Sequence, residues 1–296
     1  MLDTHTHSTF SDGFLSPEEI IRLMYGRIRE SKEKDAILSI TDHDSTAAID
    51  ETMRFARKML GETDKHVYLL PGAETEARKY IHILMYFNPD ERLWKKRSIL
   101  EIFRKNESAR DERNRAILDR LYELDIVLDY GDVFRNVSGG KTRSSIADAI
   151  ARNGYAADAI SASKLYLRHG CPAHVPLESP LEAYELVQII SDAGVLPVIA
   201  HPYGIEAASL EELRACGLEG TEVINGNTQF REANNFATQY DILRTVGSDC
   251  HFNGNKCFGY SYFPNRKNTC SYHHISPEIL QPIEADFREK ILGWLT

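Results

Sequence analysis

His5 and His7 stand two residues apart in Asp3-Thr4-His5-Thr6-His7. Side chains at i and i+2 on a β-strand point to one face, so both imidazoles can converge on one ion. Asp12 follows in Ser11-Asp12-Gly13, and Thr41-Asp42-His43-Asp44 brings a third imidazole between two acids. Glu74, His82, His201 in Ala-His-Pro, and Asp249 and His251 in Gly-Ser-Asp-Cys-His bring the set to nine potential ligands. Neutral imidazole and carboxylate suit zinc, manganese and iron. Nine groups exceed what one ion needs, and a carboxylate such as Glu74 or Asp249 can bridge two. Two or three divalent ions (Mn²⁺, Fe²⁺ or Zn²⁺) are therefore expected. Each piece alone has a blander reading: His-x-His is often incidental, His82 in an apolar run suits a core histidine, and His201 before proline suits a turn. Their common position near strand ends is what argues for one centre.

Seven segments read as strands: 2–7, 36–44, 67–74, 80–87, 195–201, 220–225 and 242–249. Most are short apolar runs rather than alternations, the pattern of strands buried on both faces of a parallel sheet. Helical patterns lie between several of them. Ser16-Pro17-Glu18-Glu19 has a capping residue, a proline at the first helical position and acids in the first turn. Ser179-Pro180-Leu181-Glu182 repeats this before a helix expected to run to about Ala193, with Gly194 placed to stop it. Strand-helix alternation with polar residues at strand C-termini is the logic of a βα barrel, whose chemistry sits on that face. On the alternating face, Cys250 should point away from the metals.

The alternation breaks over residues 89–173. A long helix or broken pair is expected over 91–120, with further helices over 142–152 and 162–169, too much for a plain loop. The domain reading is therefore 1–88 and 174–296 as a metal-binding barrel, and 89–173 as a helical insertion capping the substrate. Residues 91–120 hold ten Lys/Arg against six Asp/Glu, whereas the whole chain carries −9. A basic cap over an acidic metal pocket suits a phosphorylated substrate, although a solvated helix face explains many of the same charges.

The chain has 296 residues, with 42% hydrophobic and 27% charged, ordinary for a globular protein. Its negative balance argues against coating nucleic acid. Five cysteines without a C-x-x-C pair disfavour a disulfide framework or thiolate zinc site and fit a reducing cytoplasm. No apolar run approaches a membrane span, and the first candidate strand begins almost at Met1, which leaves no room for a signal peptide. His66, His169, His273 and His274 read as structural or exposed, while His174 in Cys-Pro-Ala-His-Val-Pro can face the pocket.

Asp-x-His-x-His-Ser-x-x-Ser-Asp-Gly, Thr-Asp-His-Asp, Gly-x-Glu, Ala-His-Pro and Gly-Ser-Asp-x-His, in this order, resemble the PHP (polymerase and histidinol phosphatase) superfamily. The resemblance implies an α/β fold, a distorted seven-stranded βα (TIM-like) barrel, with a two- or three-metal site. The insertion and the Leu-Ser-Pro-Glu-Glu spacing look like the TrpH-like branch, similar to phosphoesterases acting on nucleoside 3′,5′-bisphosphates and short oligonucleotides. That likeness makes Arg110, Arg113 and Arg143 candidates for gripping phosphate. It also distributes the ligands: His5, His7, Glu74 and Asp249 on one ion, Glu74, His82 and His201 on a second, and Asp12, His43 and His251 on a third. The segments 25–35 and 257–274 depart from the family's spacing.

The expected activity is metal-assisted hydrolysis of a phosphate ester, in which ions polarise the phosphoryl oxygens and activate a water. Asp12, His43, Glu74 and Asp249 would be central to catalysis, and Arg110, Arg113, Arg143 and His174 would bind substrate. A nucleotide or short oligonucleotide is the expected ligand, with no membrane association and no stable protein partner. One alternative is a histidinol-phosphate-type phosphatase. Another is a metal-dependent amidohydrolase, which shares His-x-His but commonly bridges its metals with a carboxylated lysine. A domain that kept the fold and lost its metals would lack ligands, and this chain lacks none of the nine.

Overall fold

The computed structural model describes residues 1–31, 34–59, 65–135, 137, 140–226, 228–251 and 277–295. The chain enters through β1 (Leu2–Asp3) and turns into α1 (Pro17–Glu30). Ser16 caps α1 as its sequence suggests: its Oγ accepts the Glu19 N–H, and the Glu19 side chain returns to the Ser16 N–H. β2 (Asp35–Leu38), α2 (Ile49–Met59) and β3 (His66–Leu69) follow, and β1, β2 and β3 pair in parallel in that order. Of the long segment 25–35, Tyr25 to Glu30 belong to α1 and Asp35 opens β2, while 257–274, His273 and His274 lie outside the described residues.

The third expected strand is two strands. β3 stops at Leu69, and the chain restarts beyond Pro71 as β4 (Gly72–Ala77) in a different sheet. β4 pairs antiparallel with β5 (Ile81–Tyr86), so the sheet is mixed rather than all parallel. Lys79 and Tyr80 both sit at φ +60° in the connection, the left-handed geometry of a tight hairpin. Glycine or asparagine normally announces that turn, and neither is present here. His82 consequently lies near the start of its strand, where it faces Glu76 across the hairpin.

Four helices follow β5 among the described residues: α3 (Arg97–Tyr122), α4 (Tyr130–Val133), α5 (Arg143–Arg152) and α6 (Ala159–Ala162). Thr142 caps α5, and a π-helical turn at Ser163–Leu167 extends α6. α7 (Ala183–Asp192) begins later than expected. Glu182 is its cap, and the buried Ser179 instead donates its hydroxyl to Asn106 Oδ1 at 3.0 Å. Gly194, at φ +73°, ends that helix region as foreseen.

The chain returns to the second sheet as β6 (Leu196–Ile199), α8 (Ala207–Ala215), β7 (Gly220–Asn225), β8 (Thr228–Gln229), α9 (Arg231–Tyr240) and β9 (Leu243–Gly247). The order is β4-β5-β6-β7-β8, with β9 joined in parallel to β7. α10 (Pro277–Leu295) closes the described chain against β9. Single parallel bridges, His43 to Glu74 and Thr6 to Cys250, stitch the two sheets. Continuous ladders do not join them, so the hydrogen bonding describes an α/β fold of two sheets rather than a closed seven-stranded barrel.

Met1 and apolar residues of α1, α2, β2 and β3 form one core layer, into which Cys250 packs away from the ligands. Ile99, Ile102 and Phe103 of α3 join β4, β5 and α7 in another. The far half of α3 has a separate cluster with α4–α6, built on Ile117, Leu121, Ile146, Ile150 and Leu167. α3 therefore carries the intervening helices on a core of their own while its first half is sunk in the strands.

Candidate metal centre

The nine predicted ligands gather where the two sheets meet. His5 and His7 Nε2 lie 3.2 Å apart and 3.4 and 3.3 Å from Glu74 Oε2, and His7 Nε2 is 3.2 Å from Asp249 Oδ1. His43, Glu74 and His82 form a second group whose ligand atoms lie within 4.8 Å of one another. His7, Asp12, His43 and His251 form a third by the same measure, with His251 Nε2 3.2 Å from Asp12 Oδ1. Glu74 belongs to two groups, and so do His7 and His43. His201 joins through Glu74, its Nε2 3.2 Å from Oε1, rather than as a member of these three sets.

These residues fit divalent ions. Glu74 Oε2, Asp12 Oδ1 and His7 Nδ1 are sealed from solvent with no hydrogen-bond partner among the described residues. Buried polar atoms rarely stay unsatisfied, and imidazole with carboxylate is a donor set that suits a divalent cation, so these atoms fit a coordination shell. His43 Nδ1 approaches Glu74 Oε2 to 3.0 Å, yet the pair is not aligned as a hydrogen bond.

Opposite charges draw these side chains together. Burial pushes the Glu74 carboxyl up, but His43, His5 and His82 outweigh it and hold the group well below its ordinary range. Burial likewise opposes charge on His82, and Glu74 and Glu76 overcome this to push it up to about 10. His251 is pushed up to about 10 by Asp12 and Asp249 against the same penalty. His43 moves the other way because burial prevails there.

The supporting acids were the part missed from sequence. Glu222, on β7 and fully buried, accepts from His5 Nδ1–H at 3.2 Å, the His201 backbone N–H at 2.8 Å and Asn225 Nδ2 at 3.0 Å. It fixes which nitrogen of His5 faces the centre. Asp42 accepts from the Ser8 N–H, Ser8 Oγ and Ser11 Oγ at 2.7, 2.6 and 2.7 Å, setting the loop that carries Asp12. Thr142 Oγ1 donates to Asp12 Oδ2 at 2.7 Å, a direct tie from the helical segment to a ligand. An acid inside the short strand segment 220–225 was the available signal for Glu222.

The backbone is bent where ligands leave their strands. His201, Asp249 and Asp44 adopt φ of +24°, +50° and +46°, conformations that cost non-glycine residues about 1–3 kcal/mol each. Gly247 is required by proximity: a Cβ there would lie 2.2 Å from His5 Cβ and 2.4 Å from Glu222 Oε1.

The four substrate candidates divide. Arg110 is 2% exposed; its Nε donates to Asp44 Oδ2 at 2.6 Å, and its Nη2 lies 3.6 Å from Glu76 Oε2. These contacts tie α3 to the strands, while its Nη2 has no hydrogen-bond partner among the described residues. Arg113 donates to Asn114 Oδ1 and the Lys141 carbonyl, and burial together with the Arg110 charge pushes it down to about 9. Arg143 has no hydrogen-bonded or acidic partner among the described residues and lines a cavity. His174 is half-buried, and its backbone carbonyl accepts from Arg120. A neighbouring cavity of about 550 Å³ reaches Asp12 and His251 and contains the exposed Phe14.

Overlapping imidazole-carboxylate groups at the meeting edge of an α/β fold define a metal-dependent hydrolase. No family model matches the chain. A 5′-3′ exoribonuclease of Haemophilus influenzae is 30% identical over 262 residues, covering 84% of this chain and 89% of that protein. A 3′,5′-nucleoside bisphosphate phosphatase of Chromobacterium violaceum is 27% identical over 269 residues, 86% and 88% of the two chains. The crystal structure of a metal-dependent phosphoesterase from Bifidobacterium adolescentis shares the fold, with a TM-score of 0.72 at 23% identity over 96% of both chains. The chain belongs to the PHP family of metal-dependent phosphoesterases and is a phosphoric ester hydrolase.

Proposed function

We propose that this enzyme removes a phosphate from, or cleaves a phosphodiester of, a nucleotide or short oligonucleotide, using two or three divalent ions of the Mn²⁺, Fe²⁺ or Zn²⁺ type. The observation that carries the reading is the overlap of three ligand groups on Glu74, His7 and His43. The activities named for the Haemophilus and Chromobacterium relatives support the substrate class. The distorted seven-stranded barrel is part of the proposal, supported by the bridges that stitch the sheets.

When bound, divalent ions neutralise phosphoryl oxygens and acidify water, the chemistry that ester hydrolysis needs. His5, His7, Glu74 and Asp249 would hold one ion, Glu74, His82 and His201 another, and Asp12, His43 and His251 the third. Geometry adds His7 and His43 as shared members. Glu222 and Asp42 orient ligands from behind. Residues 89–173 act as the substrate cap, supported by the Thr142–Asp12 contact, with Arg110, Arg113 and Arg143 supplying positive charge and His174 an imidazole toward the substrate. The cysteine pattern supports a cytoplasmic setting; no helix among the described residues is long and apolar enough to cross a membrane.

The test is a phosphatase panel on Mn²⁺-loaded protein with a nucleoside 3′,5′-bisphosphate, short 5′-phosphorylated RNA, a 5′-mononucleotide and histidinol phosphate. Turnover of the first two above the others is expected. Preference for histidinol phosphate, or no turnover of any ester, would overturn the proposal.

A further inference from the structure

Two exposed aromatic rings flank the metal centre, one at each end. Phe14, 61% exposed, donates its backbone N–H to the His251 carbonyl at 3.1 Å, and Tyr203, 64% exposed, donates its own to the His201 carbonyl. The histidine rings define those ends. His7, His43 and His251 cluster with centroids 4.1 to 5.9 Å apart, whereas His82 and His201 lie 4.9 Å from each other on the far side of Glu74. Glu74 spans the two, with Oε2 toward His5, His7 and His43 and Oε1 toward His82 and His201. The His5 and His7 side chains are sealed, while those of His82 and His201 keep part of their surface open.

Tyr203 is exposed yet fixed. Its hydroxyl shares a hydrogen bond with Thr228 Oγ1 at 3.1 Å, and its ring meets Phe230 edge-on, with centroids 4.9 Å apart at 85°. The His201 ring lies 6.2 Å away at 33°. Core packing would bury such a ring, and a solvated loop would leave its tip untethered. A tyrosine held at tip and edge loses little freedom when a flat ligand lies on it, and its open face stacks any base. A phosphomonoester carries one nucleoside on its phosphorus, and a phosphodiester carries one on each side. The cavity of about 550 Å³ that holds Phe14 and reaches Asp12 and His251 has room for one of them. The other must leave across the His201 end, where Tyr203 stands.

We propose that Tyr203 stacks the base of the nucleoside on the His201 side of a phosphodiester held at the metal centre. That makes it a specificity-determining residue, favouring oligonucleotides over esters that carry a single nucleoside. The inference rests on the phosphoesterase reading and deepens it, because only a diester uses both ends of the centre.

The experiment compares kcat/KM of Mn²⁺-loaded enzyme for a 5′-phosphorylated diadenylate and its two abasic forms, lacking either the first or the second base. Adenosine 3′,5′-bisphosphate serves as the single-nucleoside ester, and the proteins are wild type, Tyr203→Ala, Tyr203→Leu and Tyr203→Phe. In wild type, removing the base on the Tyr203 side should lower kcat/KM about tenfold or more, mainly through KM. That penalty should vanish in Tyr203→Ala, and equally in Tyr203→Leu, which keeps apolar bulk without a π face. It should persist in Tyr203→Phe. Should Tyr203→Ala fail to fold, the contrast between Leu and Phe decides in its place. Metal-stripped wild type should quench 2-aminopurine placed at the sensitive position, and Tyr203→Leu should not. Base-removal penalties that are the same in wild type and Tyr203→Leu overturn this inference alone, as does a wild type that hydrolyses the bisphosphate and no diester. Wild-type protein that turns over none of these esters overturns it together with the reading beneath it.

Discussion

His5 turns Nδ1 toward Glu222 and Nε2 toward Glu74, so an acid outside the ligand set decides which nitrogen meets a cation. Replacing Glu222 with Gln keeps the shape but weakens the acceptor for His5 and for the His201 N–H. Metal affinity should drop roughly 10–100-fold, measured as a rise in the Mn²⁺ concentration giving half-maximal activity, with the maximum largely recovered at excess metal. Unchanged metal dependence would remove Glu222 from the design. Gly247→Ala attacks the same residue by bulk, because the new Cβ would sit 2.2 Å from His5 Cβ. It should lower both Tm and metal content, and a variant with full metal occupancy would contradict that packing. The direct ligands were readable because imidazoles and carboxylates cluster at the ends of short apolar runs. Glu222 and Asp42 were not singled out, because their task is set by partners distant in sequence, and no local spacing encodes it.

At the scale of elements, α3 is pinned to β4 by buried polar contacts. Asn106 donates to Asp44, Thr75 and the Glu76 carbonyl at 3.1, 3.0 and 2.8 Å, and Arg110 pairs with Asp44. Removing one member of a buried ion pair costs about 3–5 kcal/mol, since its partner keeps an uncompensated charge. Arg110→Met should therefore lower unfolding free energy by roughly that amount, with urea denaturation as the measure. A substrate-gripping arginine would instead change KM and leave stability nearly untouched. The start of α1 was legible through its cap, as Ser16 shows. The β4–β5 hairpin was not: Pro71 interrupts what looks like one strand, and a turn through Lys79 and Tyr80 lacks the usual residues. The late start of α7 has a similar origin, because Ser179 satisfies Asn106 rather than the helix end.

At the scale of the whole molecule, metal, protons and stability are linked through one buried cluster. His82 and His251 are held near about 10, above their ordinary value of 6.5, by the carboxylates around them. A raised folded-state pKa contributes stability that is fully present below the unfolded value and is lost as pH rises through the folded one. The metal-free fold should therefore lose this contribution progressively between pH 6.5 and about 10. The lowered carboxyls of Glu74, Asp12 and Asp249 describe the same pairs from the other side and protect them until the medium turns acidic. Metal coordination requires neutral imidazole, so each ion bound must displace protons, and its affinity must rise with pH. The melting temperatures of metal-free and Mn²⁺-loaded protein should accordingly move apart from pH 6 to pH 9, the loaded form being favoured by mass action. Calorimetry in two buffers of different ionisation enthalpy should register proton release on Mn²⁺ binding. Parallel melting curves, or a binding enthalpy independent of buffer, would mean that these imidazoles are already neutral and that the carboxylates are balanced by something other than their histidines.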